Sequence, residues 1–432
     1  MVSLGLDIGT TTVSAVVWDE NAGVRESLTK EHHAFLPRQE NWARVQDAEK
    51  LLSLAVSLAE ELLKRHPDCR CIGLTGQQHG IVYLDGDGRV CSPLYTWQDG
   101  RGGAADETGK SACDLIREKT GRTVPPGYGA ATHLYELRHG LVPREAVTFC
   151  TIQDAAALLL SGRSTPAVDA SDGASFGLFD VKNGRFDKEA ILSCGMEPDF
   201  FPPISGGEEL GRGLFGLPVF PAIGDNQASF FGSAGSGLAV NVGTGGQLSV
   251  FTPEYREAEG LETRPFPGGG YLMVGASLCG GRAYAMLEGF FAETVRVVTG
   301  QDVRCYDAME KLGALPLDDL PHAETTFQGT RWEPEKKGSL TSLTEENFTP
   351  AHFVQAIVRG MAAEFGELYR RALASGIPAP LSFTGSGNGL RKNKLLQTAL
   401  QEELGLTLRL STDREEAACG AAKWALRQAK QS

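Results

Sequence analysis

One aspartate stands among small and apolar residues in the segment PAIGDNQASFFG, residues 221–232. A carboxylate at this position, where an apolar strand is expected to end, either caps the following turn or lies in a cleft where it can do chemistry. The other polar motifs of the chain indicate which of these two roles Asp225 has.

Two segments of matching pattern, DIGTTTVSAVV at residues 7–17 and NVGTGGQLSVF at residues 241–251, each predict a β-hairpin with a tight turn. Backbone N–H groups and threonine hydroxyls in such a turn can bind an anion. One turn of this kind is more often a plain hairpin, but a matched pair could hold a polyphosphate from both sides. Asp7 either bonds its own turn or anchors Mg²⁺, which prefers a carboxylate together with waters and phosphate oxygens.

A glycine cluster, TGSGNGLRKN at residues 384–393, follows a predicted strand and precedes a predicted helix. Glycines there let the backbone approach a flat or anionic ligand, and a helix N-terminus favours negative charge. The alternation of Gly385, Gly387 and Gly389 differs from the dinucleotide fingerprint, but a nucleotide remains the predicted ligand. The segment GGAADETGKS only resembles a phosphate-binding loop, because its first glycine is replaced and two acidic residues lie inside it.

Three polar clusters suit a polyhydroxylated ligand. TGQQHG ends a predicted strand with amides and with His79, groups that both donate and accept hydrogen bonds. TWQDGR offers Trp97 as an aromatic wall and Asp99 with Arg101 as acceptor and donor, or as a salt bridge that braces the turn. Tyr128, in PPGYGAATH, is either a ligand contact or an exposed loop tyrosine.

Helical periodicity predicts amphipathic helices at residues 48–65 and 352–374, each followed by a strand that ends in Thr-Gly. Two halves, residues 1–224 and 225–432, therefore share one predicted α/β plan. The C-terminal part alternates strands with helices, in the order LSFTG, KNKLLQTALQEEL, LTLRLST and EEAACGAAKWALRQ. This alternation predicts a mainly parallel sheet with ligands at the carboxyl ends of its strands.

The composition limits the function classes. A chain of 432 residues predicts two domains, and its net charge of −13 argues against a nucleic-acid partner. We expect no membrane span, since no apolar run approaches about 20 residues. The N-terminal residues lack a basic region, which predicts a cytoplasmic protein. The nine cysteines are scattered and are expected to be reduced thiols.

The chain resembles the FGGY family of carbohydrate kinases through seven motifs in the family's order. These are DIGTTTVS, TGQQHG, TWQDGR, IGDNQAS, NVGTGGQLS, TGSGNGLRKN and EEAACGAAKWA. The resemblance implies an α/β fold of two similar lobes, ribonuclease H-like, as in the actin, Hsp70 and sugar kinase superfamily, with a ligand cleft between the lobes. It also implies ATP-dependent phosphorylation of a ketose at its terminal hydroxyl, with Mg²⁺ and with a homodimer left open as the assembly.

Within the family, the nearest resemblance is to the kinases of sedoheptulose, although Gln153-Asp154 replaces their His-Asp pair. Kinases of xylulose, ribulose or another short sugar or polyol remain alternatives. A non-kinase ATP-binding switch protein of the same superfamily is the alternative from a different class.

The resemblance also implies roles for individual residues. Asp225 is similar to the family's general base, and Asp7 with Asp225 is similar to its metal-linked carboxylates. The implied sugar contacts are Gln78, His79, Trp97, Asp99, Arg101, Tyr128 and Asn226. The implied phosphate contacts of ATP are Thr10, Thr11, Gly243 and Thr244. The implied adenosine contacts are Gly385, Gly387, Asn388 and Asn393.

Overall fold

The structure, a computed structural model, describes residues 1–233, 237–330, 333–412 and 415–431. These residues divide into two units, each described below by itself. The first unit contains the described residues of Met1–Gly235, Arg264–Gly270 and Asp413–Ser432. The second unit contains those of Ser236–Thr263 and Tyr271–Thr412. The predicted boundary between residues 224 and 225 stays a prediction.

The regular elements are named in chain order. The strands are β1 (Val2–Ile8), β2 (Thr12–Asp19), β3 (Gly23–Glu31), β4 (Val45–Gln46), β5 (Cys69–Gly76), β6 (Val82–Asp85), β7 (Leu94–Tyr95), β8 (Ala146–Cys150), β9 (Phe179–Asp180), β10 (Arg185–Phe186), β11 (Ile223–Gly224), β12 (Leu238–Val242), β13 (Gly246–Thr252), β14 (Glu262–Pro265), β15 (Tyr271–Ser277), β16 (His322–Glu324), β17 (Ser339–Thr341), β18 (Ser382–Ser386) and β19 (Thr407–Leu410). The α-helices are α1 (Ala48–Arg65), α2 (Ala112–Thr120), α3 (Gly129–Arg138), α4 (Ile152–Ser161), α5 (Ala170–Ser175), α6 (Lys188–Ser193), α7 (Asp225–Ser233), α8 (Gly281–Thr299), α9 (Tyr306–Gly313), α10 (Pro350–Ala374), α11 (Asn388–Arg391), α12 (Lys394–Leu404) and α13 (Glu416–Ala429).

The main sheet of the first unit has the strand order β11-β5-β1-β2-β3. β1 and β2 form an antiparallel hairpin in which Leu4 pairs with Val17, so the first predicted hairpin is confirmed. β5 and β11 continue the sheet in parallel with β1. Because these three strands run in the same direction, their carboxyl ends meet at one edge of the sheet.

Helices cover this sheet. α1 begins after the cap Asp47 and buries leucines that belong to the same core cluster as β1 and β5, in agreement with the prediction for residues 48–65. α13 packs closely on the sheet, since a Cβ atom at Gly5 would lie 1.9 Å from Ala418 O and one at Gly73 would lie 2.0 Å from Ala421 O. Only glycine leaves room for the helix backbone at these two strand positions.

The main sheet of the second unit has the order β14-β15-β13-β12-β18-β19. β12 and β13 form the second predicted hairpin, which is confirmed, and β18 and β19 run parallel to β12. The parallel arrangement predicted for LSFTG and LTLRLST is confirmed in β18 and β19, but β13 pairs antiparallel with both β12 and β15, so the sheet as a whole is mixed. The predicted helix at residues 352–374 is confirmed as α10, which begins two residues earlier at Pro350, after the cap Thr349. No helix in the described parts of the chain is both long and apolar enough to cross a membrane.

A separate aromatic cluster in the first unit surrounds the buried His133 of α3. Its Nδ1 lies 3.0 Å from the Tyr83 hydroxyl, and its ring stacks on Phe200 with 4.6 Å between the ring centroids. Burial lowers the pKa of His133 to about 4. The imidazole therefore stays neutral in the folded protein at pH values where an unfolded chain would protonate it.

We expect the variant His133→Gln to lose part of the acid sensitivity of the wild type. Between about pH 6.5 and about pH 4 the unfolded wild type binds a proton that the folded state does not. The free energy of unfolding of the wild type therefore falls as the pH is lowered, by up to about 1.4 kcal/mol per pH unit. Urea unfolding of both proteins across this range measures the effect. The two stabilities should converge as the pH falls, and parallel curves would contradict the prediction.

Candidate active site

Asp225 lies at the edge of the first sheet where the parallel strands end. β11 ends at Gly224, which pairs with Gly76 at the end of β5, and Gly76 in turn pairs with Ile8 at the end of β1. Asp225 is the first residue of α7, so its carboxylate follows directly on a strand end. The register therefore brings Asp7, Asp225 and the TGQQHG motif to a single edge of the first unit.

Two carboxylates at this edge have raised pKa values. Burial raises the pKa of Asp225. The N–H of Asn226 donates to Asp225 Oδ1 at 2.6 Å, and this bond, together with the charge of Arg264, partly offsets the rise. This bond joins two adjacent residues, whereas a capping carboxylate accepts from an N–H two or three positions further along the chain. The pKa of Asp7 is raised to about 7 by burial and then by the nearby carboxylates of Asp225 and Glu415.

A divalent cation would relieve the repulsion between these carboxylates. Mg²⁺ is commonly held by one or two carboxylates, with waters and substrate phosphates completing its oxygen ligands. Asp7 and Asp225 fit such a donor set. In the part of the chain that the structure describes, no group of three or more His, Cys, Asp or Glu residues could hold a metal ion.

The structure brings His79 and Tyr128 together. Their rings stack with centroids 4.1 Å apart and an interplanar angle of 14°. The backbone of His79 has a positive φ of 74°, and its N–H donates to Ser175 Oγ at 3.2 Å. Its Nδ1 lies 2.9 Å from the Ser175 carbonyl oxygen, which can only accept, so Nδ1 carries the proton. The ring is therefore held in one orientation by α5 and by the residue before α3.

Trp97 contacts the first hairpin. Its side chain is 47% exposed, and its indole N–H donates to Thr10 Oγ1 at 3.0 Å. A residue predicted to form the wall of the sugar subsite is thus joined to a residue predicted to bind phosphate. Thr11 follows in the same turn, between β1 and β2.

Asp99 and Arg101 form a buried ion pair, as in the salt-bridge alternative. The Arg101 Nε donates to Asp99 Oδ1 at 2.7 Å, and the guanidinium also bonds Glu136 of α3. The Arg101 guanidinium carbon lies 3.9 Å from the centroid of the Tyr95 ring. Asp99 Oδ2 also accepts from the backbone N–H of Arg44 at 2.8 Å. The turn is braced by this network, and a direct sugar contact by either residue stays a prediction.

The second unit contains a cavity of about 830 Å³ beside the second hairpin. Four residues predicted from the sequence line it, namely Gly243, Thr244, Asn388 and Asn393. The other two predicted glycines have structural positions, since Gly385 lies inside β18 and Gly387 precedes α11 with a φ of 84°. A Cβ atom at Gly387 would lie 2.4 Å from Val242 O.

The start of α8 forms another wall of this cavity, which sequence reasoning missed. The N–H of Gly281 donates to Gly243 O at 3.1 Å, and that of Arg282 donates to Thr244 O at 3.0 Å. The first turn of α8 therefore fixes the carbonyl groups of the hairpin turn. The paired glycines in SLCGGRAY before an amphipathic stretch were the available signal, because they allow close approach of two backbones.

Another wall of the cavity is aromatic and acidic. Tyr284 and Tyr306 stack with ring centroids 6.0 Å apart, and Asp307 and Glu310 also line the wall. Burial and then Glu310 raise the pKa of Tyr284 to about 12. Aromatic faces suit a flat base, and the N–H of Arg282 bonds the hairpin turn. The lining of the cavity is therefore compatible with a nucleotide.

Each unit is built on an antiparallel hairpin with parallel strands added beside it, which is the two-lobe fold of actin-like ATPases. The N-terminal domain of the FGGY family of carbohydrate kinases matches residues 2–232, and the C-terminal domain of that family matches residues 238–429. The chain therefore belongs to the FGGY family of carbohydrate kinases. The protein is a sugar kinase that uses ATP, so the alternative of a non-kinase switch protein is not supported.

Relatives of known name align over nearly the whole chain. Sedoheptulokinase from Homo sapiens is 26% identical, covering 99% of this chain and 98% of that protein. Glycerol kinase from Trichlorobacter lovleyi is also 26% identical, covering 97% of this chain and 88% of that protein. These identities leave the sugar open.

Solved structures share the fold. Xylulose kinase from Rhodospirillum rubrum superposes with a TM-score of 0.84 at 22% identity, covering 99% of this chain and 89% of that chain. Plasmodium falciparum glycerol kinase with ADP superposes with a TM-score of 0.82 at 18% identity, covering 100% of this chain and 90% of that chain.

Proposed function

We propose that the protein transfers the γ-phosphate of ATP to the terminal hydroxyl of a ketose, with sedoheptulose as the first candidate and sedoheptulose 7-phosphate as the product. The main observation in support of this proposal is that Asp225 and the TGQQHG motif follow strands that end at the same edge of the sheet, in register with the end of β1. The full-length similarity to sedoheptulokinase supports the choice of sugar.

Asp225 is the proposed general base. A primary hydroxyl is a weak nucleophile, and a carboxylate within reach accepts its proton as the oxygen attacks the γ-phosphorus. The raised pKa of Asp225 makes it a stronger base than an ordinary aspartate. Phosphoryl transfer otherwise depends on positioning and on neutralising charge, so the remaining residues are proposed to bind rather than to react.

The proposed sugar subsite lies in the first unit. Amides, an imidazole and aromatic faces suit the alternating hydroxyls of a sugar because they supply donors, acceptors and an apolar wall. The proposed contacts are Gln78, His79, Trp97, Asp99, Arg101, Tyr128 and Asn226. Asp99 and Arg101 are proposed to act mainly by bracing the turn that presents Trp97, since each already bonds the other and a third partner.

The proposed ATP contacts come from both hairpins and from the glycine cluster. Thr10 and Thr11 in the first unit, and Gly243 and Thr244 in the second, are proposed to bind the β- and γ-phosphates. The remaining proposed contacts, to adenosine, are Gly385, Gly387, Asn388 and Asn393. Asp7 and Asp225 would hold Mg²⁺, which supplies charge neutralisation at the phosphates when it is bound. The cytoplasmic location and the homodimer stay predictions.

A panel of acceptors tests the proposed function. The purified protein is mixed with Mg-ATP and, separately, with sedoheptulose, xylulose, ribulose and glycerol, and the release of ADP is followed. We expect the highest kcat/KM for sedoheptulose, because a site built to pair hydroxyls discriminates against ligands that lack them. A higher kcat/KM for glycerol or xylulose would replace sedoheptulose as the substrate. An absence of acceptor-dependent ADP release throughout a panel widened to other sugars and polyols would overturn the proposal.

A further inference from the structure

Behind the sugar-facing edge of the first unit lies a buried carboxylate that the proposed chemistry does not use. Asp172, in α5, is 0% exposed, and its Oδ1 accepts from Gln153 Nε2 at 3.1 Å and from Gln78 Nε2 at 3.5 Å. Gln78 Nε2 also donates to the carbonyl oxygen of Ser171 at 3.1 Å. The Gln78 amide nitrogen thus has two acceptors in α5.

This arrangement determines which end of the Gln78 amide is available. Nε2 is occupied, whereas Gln78 Oε1 is buried and has no hydrogen-bond partner among the described residues. A buried acceptor without a partner costs free energy unless a ligand or water supplies a donor. The amide is therefore oriented to accept a hydrogen bond rather than to donate one.

The same contacts hold Gln78 beside the proposed base. A Cβ atom at Gly224 would lie 1.9 Å from Gln78 Nε2, so the amide lies directly on the residue that precedes Asp225. The N–H of Gly224 donates to Ser171 Oγ at 3.1 Å. The first turn of α5 thus contacts both the Gln78 side chain and the strand end that carries Asp225.

Asp172 lies among other carboxylates. Burial raises its pKa well above the ordinary value, the carboxylates of Asp154, Asp169 and Asp225 raise it further, and the bond from Gln78 partly offsets the rise. Its Oδ2 is buried with no hydrogen-bond partner in the described parts of the chain. Oδ1 can accept from the two amides in either protonation state of the carboxyl.

We infer that Asp172 is a positioning residue of the sugar subsite, which fixes the Gln78 amide against Gly224, the residue before Asp225. Gln153, where the resemblance to the kinases of sedoheptulose implies a histidine, supplies the second donor to Asp172. The inference rests on the proposed function for its sugar, but the contact of α5 with His79 and Gly224 can be measured without turnover.

The variants Asp172→Asn and Asp172→Ala test this role. Asn keeps an Oδ1 acceptor, whereas Ala leaves both amides without it. We expect Asp172→Ala to raise the KM for the sugar about tenfold or more, because the buried donors lose their acceptor and the Gln78 amide is free to rotate. The KM for ATP should stay within about twofold in both variants, and Asp172→Asn should keep the sugar KM within about threefold of the wild type.

Asp19→Ala is the matched control. Asp19 is a buried carboxylate of the same unit, but it accepts from the Asn21 N–H at 2.7 Å and pairs with Val2, at the opposite end of β1 from Ile8. This variant should lose thermal stability and keep the wild-type KM for the sugar. If Asp172→Ala does not fold, Asp172→Val, which is closer to aspartate in volume and also lacks an acceptor, takes its place.

Hydrogen exchange gives the readout that does not require turnover. The amides of His79 and Gly224 donate to Ser175 and Ser171 of α5, so their exchange reports on this contact. We expect faster exchange at both amides in Asp172→Ala and wild-type exchange in Asp172→Asn and Asp19→Ala. If the wild type phosphorylates no acceptor, the proposed function fails while this comparison still decides the role of Asp172. Unchanged exchange and sugar KM in Asp172→Ala, or equal losses in the Asn and Ala variants, would overturn the inference.

Discussion

Replacement of Asp225 by Asn is expected to lower kcat by about three orders of magnitude, in line with the loss of a positioned general base. Asn has the same shape as Asp and can keep the contact with the N–H of Asn226 through its Oδ1, but it cannot accept the proton of a sugar hydroxyl. The variant should therefore fold, bind ATP and bind the sugar, and lose only turnover.

The measurement is acceptor-dependent ADP release, with thermal unfolding and ATP binding as checks on the fold. Asp187→Asn is the matched control, since Asp187 caps α6 by accepting from the Ala190 N–H at 3.0 Å and Asn caps helices equally well. The control should keep wild-type kcat. If Asp225→Asn kept kcat within about tenfold of the wild type, Asp225 would not be the base.

Replacement of Gly281 by Ala is expected to raise the KM for ATP about a hundredfold. Gly281 begins α8 and lines the nucleotide cavity, and a Cβ atom there would lie 2.3 Å from Gly243 O. Because that oxygen belongs to the backbone of the second hairpin, the hairpin must move away from the helix. A displacement of about 1 Å in a group that positions a reacting phosphate is enough for an effect of this size.

Gly289, two turns further along the same helix, is the matched control. An added Cβ atom at Gly289 would meet nothing within 4 Å. Gly289→Ala should therefore leave the KM for ATP unchanged and stabilise the protein by about 0.5–1 kcal/mol, because alanine is the better helix former. Equal ATP KM values for the two variants would show that the start of α8 does not position the hairpin.

The sequence was sufficient for features that depend on neighbouring residues. The two hairpins could be predicted because a Gly-Thr turn and its flanking strands lie within 11 residues of each other. Helix α1 could be predicted because its apolar periodicity is local. The Asp99–Arg101 pair was open to prediction for the same reason, since the two residues lie two positions apart in a single turn.

Features that depend on distant residues could not be predicted. Glu136 bonds Arg101 across 35 positions of sequence, and no local pattern signals that pairing. The antiparallel pairing of β13 with β15 likewise escaped prediction, because alternating strands and helices suggest parallel neighbours. The contact of Gly281 with Gly243 joins two glycine-rich segments 38 positions apart, and glycines carry no side chain to indicate a partner.

The close packing of α13 on the first sheet has a consequence for biosynthesis. The backbone of α13 packs directly against Gly5 and Gly73, and the Ser3 hydroxyl donates to Ala422 O at 2.9 Å. This helix therefore completes the core around β1. Yet the ribosome makes α13 only after every residue of the second unit. Most of the first unit is translated first, but one face of its sheet therefore stays uncovered until residues 416–429 emerge from the ribosome. The second unit has no such delay, so we expect it to mature earlier on the nascent chain.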